Sequence, residues 1–297
     1  MDLWQKDGDL AEVDLSLYQL KITTLREFEM DRHIILTLGR SGSNNLVNLL
    51  NQHPEVLNVG EVIGEWNLLR KVERRLRLYD NLDSYLHAMT QSSRLVRLAI
   101  AFRNTRRFMR GRRAEIKPLK EIKTLGIKDF APLMVRAGAR NWIRNTADLK
   151  VIGLVRDDVL ERFISWQMLD QTGVVLASAG TQAKTRKITL DTDRLQTLIA
   201  QVRDENLLLR DMLAELPPER VLIVRYTEFY ESPTRRSEIM NDLFRFLDVE
   251  PVITESRMSK IIWGHPAEAI TNREACAQAL IGSEFEGILD ISSYKAR

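Results

Sequence analysis

Residues 33–56, "HIILTLGRSGSNNLVNLLNQHPEV", set one arginine and a run of small hydroxyl and amide residues directly after an apolar segment. Gly39, Ser41, Gly42 and Ser43 allow a tight backbone turn, so amide hydrogens at the start of a helix from about Asn44 to Asn51 converge on one concavity. The positive end of the helix dipole faces the same place, and Arg40 offers a planar cation able to grip phosphate or sulfate oxygens in pairs. A triphosphate loop of the GxxxxGK[ST] kind needs a lysine and a magnesium-binding hydroxyl. Gly39 is followed instead by Arg-Ser-Gly-Ser-Asn-Asn, which disfavours ATPase or kinase chemistry. Turns of this composition also occur where nothing binds, so the loop alone leaves both readings level.

A second stretch tips the balance. "KVIGLVRDDVLERFISWQM" reads as a strand, Val151–Val155, with Arg156 at its end and Ser165 two to three turns into the next helix. Open α/β sheets place ligands at the carboxyl ends of their strands, which would bring Arg156 to the same sheet edge as the Arg40 loop. The plain alternative pairs Arg156 with Asp157 or Asp158 and leaves Ser165 on a helix surface.

The elements that must position these residues alternate. Strands are expected at Ile34–Leu38, Val56–Val59, Leu125–Asp129, Val151–Val155 and Val221–Tyr226, with helices between them. This predicts an α/β fold, three-layer α/β/α, with a central, mainly parallel sheet. "SPTRRSEIMNDLFRFLDVEP" reads as a capped amphipathic helix with Leu243, Phe246 and Leu247 inward. The 297 residues suit one domain, 1–297, carrying a helical basic insertion at 68–120. With 44% hydrophobic and 29% charged residues and no apolar run near about 18 residues, a soluble protein is expected. The start "MDLWQKDGDLAEVDLS" lacks a basic, apolar leader, and the single Cys276 excludes an internal disulfide framework or a zinc site built on several cysteines. Cytoplasmic location follows as the expectation. A net charge of +3 is too small to argue for nucleic acid.

At its two anion stretches the chain resembles the sulfotransferases that use 3′-phosphoadenosine 5′-phosphosulfate (PAPS). "GRSGSNNLVNLLNQHPEV" is similar to their 5′-phosphosulfate loop in its Arg-Ser-Gly-Ser form, and "LVRDDVLERFISW" to their 3′-phosphate motif. The likeness is nearer to bacterial carbohydrate sulfotransferases, of the trehalose and nodulation-factor type, than to animal cytosolic enzymes. "NVGEVIGEW", "VRYTEFYESPTRRSEIMNDLFRFLDVEP" and "AITNREACAQALIGSEFEGILD" agree with it, so it runs from about Ile34 to Asp290. It implies a P-loop-like sulfotransferase fold. It also implies that Arg40 with the Ser41, Gly42, Ser43, Asn44 and Asn45 backbone holds the 5′-phosphosulfate, and that Arg156 and Ser165 hold the 3′-phosphate. PAPS would be the donor and 3′-phosphoadenosine 5′-phosphate (PAP) the product, with Arg40 stabilising charge on the leaving phosphate. Glu61, in "GEV", resembles the glutamate general base of bacterial relatives, where a buried carboxylate could have a raised pKa; Glu65 is its reserve. Without the family, Glu61 reads almost as well as an acid satisfying backbone amides at a helix start. No metal is implied, because arginines and amides supply the positive field.

The chain also departs from that family. The cytosolic enzymes use a catalytic histidine, whereas His33, His53, His87 and His265 all read as structural. No Gly-rich tail loop is present, which leaves Arg257, Lys260 and Arg273 as unsupported candidates for the 3′-phosphate; Lys128, in "LGIKDF", resembles a position near the acceptor. The acceptor class is a hydroxyl-bearing carbohydrate, lipid or small metabolite. The run "RLVRLAIAFRNTRRFMRGRRAEIKPLK", residues 94–120, carries a single acid, Glu115. It reads either as a solvated helix face or as a membrane-surface or carrier contact whose binding falls with salt and on reversal of Arg106, Arg107 and Arg110. Two other functions fit the first motif: a non-catalytic nucleotide-binding protein and a P-loop phosphotransferase.

Overall fold

A computed structural model describes residues 30–65, 67–91, 96–97, 100–101, 117–173, 177–178, 187–256, 258–259 and 264–291. In chain order the strands and main helices are β1 (Asp31–Thr37), α1 (Ser43–Leu50), β2 (Val56–Asn58), α2 (Leu68–Leu76), α3 (Leu82–Gln91), β3 (Thr124–Phe130), α4 (Ala131–Arg136), α5 (Arg140–Asn145) and β4 (Leu149–Val155). They continue as α6 (Val159–Thr172), β5 (Ala177–Ser178), α7 (Leu195–Ala214), β6 (Val221–Arg225), α8 (Tyr226–Phe229), α9 (Pro233–Phe246), β7 (Met258–Ser259) and α10 (Arg273–Ala279).

The central sheet has the order β2-β3-β1-β4-β6, and every neighbouring pair is parallel. Strands covered on both faces tend to be continuous apolar runs rather than alternating, and "IIL" at Ile34–Leu36 and "VIGLV" at Val151–Val155 are so for that reason. On one face Ile34, Leu36, Ile127 and Val151 pack with Tyr85 and Leu86 of α3, Met134 of α4, Trp142 of α5 and Leu213 of α7. On the other, Ile35, Ile152 and Leu154 pack with Leu46 and Leu49 of α1 and Leu243 and Phe244 of α9. The fold is therefore α/β with three layers, and the two-stranded antiparallel pair β5 and β7 lies outside the main sheet.

Sequence periodicity needs one correction in α9. Ser232 caps the helix by accepting the Arg235 amide at 3.0 Å, and Pro233 starts it, as expected. The buried stripe, however, is Met240, Leu243, Phe244 and Leu247, at i, i+3, i+4 and i+7. Phe246 falls off that stripe and is half-buried, with the Lys150 ammonium 5.8 Å from its ring centre. Of the insertion, α2 and α3 are helical as expected, Arg97 and Lys120 are exposed, and Lys117 donates to the carbonyls of His53 (2.8 Å) and Val56 (2.6 Å). Arg94, Arg103, Arg106, Arg107, Arg110, Arg112 and Arg113 lie outside the described residues, as do Arg257 and Lys260. Among the described residues no helix is long and apolar enough to cross a membrane.

Candidate functional site

Because all five strands run the same way, their carboxyl ends share one edge. From β1 the chain turns to the face that α1 covers, and from β4 it reaches, through α6, the face that α7 covers. The connections diverge between these two adjacent strands, and such a switch point opens a crevice. The Arg40 loop forms one wall and Arg156 the other.

The loop is built around two left-handed residues. Arg40 has φ of 66° and Gly42 φ of 75°. A Cβ on Gly42 would stand 2.6 Å from the Tyr230 hydroxyl oxygen, so this position needs glycine for space as well as for conformation. Gly42, at the N-cap, has no side chain to cap α1, and the Asn45 amide turns back to the Gly42 carbonyl at 3.0 Å, so the Ser43 and Asn44 amides ahead of it are the ones positioned for another acceptor. The Ser41 side chain is buried with its Oγ making no hydrogen bond, a polar atom that ordinarily requires a partner. Ser43 is buried, Asn44 is exposed, and Asn45 is buried with its Oδ1 accepting from the Ser256 hydroxyl at 3.0 Å.

Three guanidinium groups surround this loop. Arg40 Nε donates to Ser165 Oγ at 3.1 Å, which brings together two residues 125 positions apart. Arg156, 3% exposed, donates to the Arg40 carbonyl and to Glu161 at 3.2 Å, and its guanidinium carbon lies 4.1 Å above the centre of the Tyr226 ring. Its carboxylate partner is thus Glu161. Asp157 takes Arg210 and Arg225 instead, and Asp158 caps α6 by accepting the Glu161 amide. Arg162 donates to the Gly39 carbonyl at 3.1 Å, to Val202 and Asn206 at 2.9 and 3.0 Å, and to Glu205. Burial and the neighbouring Arg156 both pull the Arg40 pKa down, against an opposing effect of Tyr226. A bound anion would relieve this crowding of positive charge. The orphaned Ser41 hydroxyl, the uncapped helix start and the paired arginines fit a phosphate or sulfate group.

Glu61 reaches the same edge by another route. It follows β2, with β3 standing between β2 and β1. Its carboxylate pairs with the buried Lys128 of β3, whose ammonium also lies 4.5 Å from the centre of the Phe130 ring. Glu61 is half-buried rather than buried, because its turn stands at the mouth of the sheet edge. The buried carboxylate here is Asp129. Its Oδ2 accepts the amides of Val62 and Ile63, each at 3.0 Å, and its Oδ1 accepts the Phe130 amide at 3.2 Å. Burial pushes its pKa up to about 6; the three amide bonds oppose the rise and the nearby Glu61 adds to it. The acid satisfying backbone amides is therefore Asp129. Glu65 is exposed, 4.0 Å from Arg74.

The four histidines are held by ordinary bonds. His33 is fully buried between Thr124 Oγ1 (2.9 Å) and Asn58 Nδ2 (3.2 Å), with its pKa lowered to about 3 by burial and then by Lys150. His53 contacts the Glu250 carbonyl and the Glu55 amide, His87 takes Arg32, and His265 accepts the Ala267 amide. Arg273 opens α10, in the region of the second core that α6 and α7 form with the tail. Sequence reasoning missed Arg162, Tyr230 and Asp129. For Arg162 the partners Glu205 and Asn206 stand some forty positions away, and only its closeness to Arg156 offered a signal.

No protein-family model matches the chain, and no curated protein matches it. Similar solved structures include a sulfotransferase from Alicyclobacillus acidocaldarius, 15% identical over 81% of this chain and 90% of that one, with a TM-score of 0.43. The sulfotransferase domain of the Synechococcus PCC 7002 olefin synthase is 15% identical over 77% and 78% of the two chains, at 0.38. The sulfotransferase domain from the curacin biosynthetic pathway is 17% identical over 84% and 83%, at 0.37.

Proposed function

We propose that the chain is a sulfotransferase that moves a sulfuryl group from PAPS to a hydroxyl-bearing sugar, lipid or small metabolite. The observation that carries this reading is the Arg40 loop, with its orphaned Ser41 hydroxyl and uncapped helix start closed by Arg156 and Ser165 from the next strand and helix. When bound, PAPS supplies the sulfuryl group and leaves as PAP. Ser41, Gly42, Ser43 and the α1 amides would hold its 5′ end, and Arg40 would meet the charge that develops on the bridging oxygen. Glu61, held by Lys128, would take the proton from the acceptor hydroxyl as its oxygen replaces the bridging phosphate oxygen on sulfur, the bond to that bridging oxygen breaking. Exposure of Glu65 supports choosing Glu61 over it.

Labelled-sulfate transfer and PAP calorimetry test this together. Glu61→Gln is expected to lower transfer by about a hundredfold or more while PAP affinity holds. PAP binding without transfer to any acceptor would instead favour a nucleotide-binding protein; no PAP binding would end the proposal. A specific observation favours a second reading for Arg156, whose bonds already support the loop carbonyl. If Arg156 holds the 3′-phosphate, Arg156→Ala weakens PAP much more than the 5′-monophosphate. If it only supports the loop, both weaken equally. The basic 94–120 run is proposed as the contact for an anionic acceptor, surface or carrier.

A further inference from the structure

The turn that carries Glu61 is secured from several sides. The Lys128 amide donates to the Gly60 carbonyl at 2.9 Å, and the Asn67 side chain donates to the Glu61 carbonyl at 2.6 Å. The buried Tyr85 hydroxyl donates to the Val62 carbonyl at 3.0 Å, with the Arg70 guanidinium 4.7 Å from its ring centre. At the centre of this arrangement, Asp129 accepts the two amides that follow Glu61 directly. Lys128 and Asp129 are consecutive on β3 and so point to opposite faces, yet both end on the same turn. Lys128 holds the side chain of Glu61, and Asp129 holds the backbone just beyond it.

We infer that Asp129 is the positioning residue for Glu61: it clamps the Gly60–Ile63 turn so that the carboxylate stands at the sheet edge, and it takes no part in holding the donor. The inference rests on the proposed role of Glu61. Among the described residues, the bonds of Asp129 reach Val62, Ile63 and Phe130, none of them in the Arg40 loop. The groups facing it are Glu61 and Tyr85, both within Coulombic reach. A buried carboxylate that accepts three amides is costly to desolvate, and leucine or asparagine would fill the same space without that cost. What the carboxylate gives in return is two acceptor oxygens that fix three N–H groups at once.

Asp129→Asn keeps the shape but turns one acceptor oxygen into a donor, so at least one amide loses its partner. Water serves as a general acceptor, and sulfate released from PAPS is the readout, alongside PAP calorimetry. The expected result is a fall in kcat of about tenfold to a hundredfold, with KM for PAPS and PAP affinity within about twofold. In a Glu61→Gln background the same change should cost nothing further, because the base it positions is already gone. Unchanged kcat, an additional loss in that background, or a parallel loss of PAP affinity would overturn the inference. Should the wild-type chain neither bind PAP nor release sulfate, the sulfotransferase reading fails and amide exchange decides the clamp. Val62 and Ile63 should then exchange about tenfold or more faster in Asp129→Asn, with the β1 amides unmoved; equal exchange in both proteins would refute it.

Discussion

At the level of single residues, the anion corner depends on arginines that do different work. Arg40 faces the crevice, whereas Arg162 is 4% exposed and spends its guanidinium on Gly39, Val202, Asn206 and Glu205. It ties the loop after β1 to the middle of α7. Removing it takes the cation from the half-buried Glu205 and a donor from the Gly39 carbonyl and the buried Asn206 side chain, groups that are costly to leave short of partners. Arg162→Met is therefore expected to lower stability by about 1–3 kcal/mol, read from urea unfolding, and to weaken PAP binding, because the loop carbonyl is no longer held. Arg40→Met should separate the two effects. It loses the ligand's charge partner but also removes the repulsion with Arg156, so PAP affinity falls while the unfolding midpoint stays within error. A parallel fall of both quantities in both variants would show that the two arginines are not divided in this way.

Among the elements, the contact between the α1 start and α8 is the tightest determinant of the site. Tyr230, just after α8, rests over Gly42 and leaves no room for a methyl group. Gly42→Ala meets two separate penalties, a left-handed φ worth about 1–2 kcal/mol and the collision with the Tyr230 ring. Adding Tyr230→Ala should relieve the second and leave the first. The expected outcome is a double variant more stable than Gly42→Ala combined additively with Tyr230→Ala, measured by a denaturation cycle; strict additivity would mean that the ring does not set the loop. This contact also marks where sequence reading stops. All five sheet strands were legible as short runs rich in branched apolar residues, too short for helices and separated by helical patterns. Arg40, Arg156 and Ser165 were legible as a group through two matched motifs, and the structure brings them into contact. Tyr230 over Gly42, Glu205 on Arg162 and Asp129 beneath Glu61 were not. Each depends on which face of an element meets another, and single-chain periodicity leaves the face open by a residue or two, as the exchange of Phe244 for Phe246 in the α9 stripe illustrates.

Across the whole molecule, β1 is the first strand among the described residues and the middle strand of the sheet, and both its neighbours, β3 and β4, come from far along the sequence. Neither edge of β1 can be covered until long loops have closed, which is the topology that makes folding slow. Arg40 and Arg156 meet only across the β1–β4 pairing, so the anion crevice cannot exist in any fragment that ends before Arg156. Its completion is tied to completion of the sheet itself. A ligand that recognises the finished crevice has nothing to grip in a chain still assembling. PAP should therefore leave the refolding rate nearly unchanged and slow unfolding, with the whole gain in stability appearing on the unfolding limb of a chevron. Acceleration of refolding by PAP would mean that β1 and β4 pair before the rest of the sheet is in place.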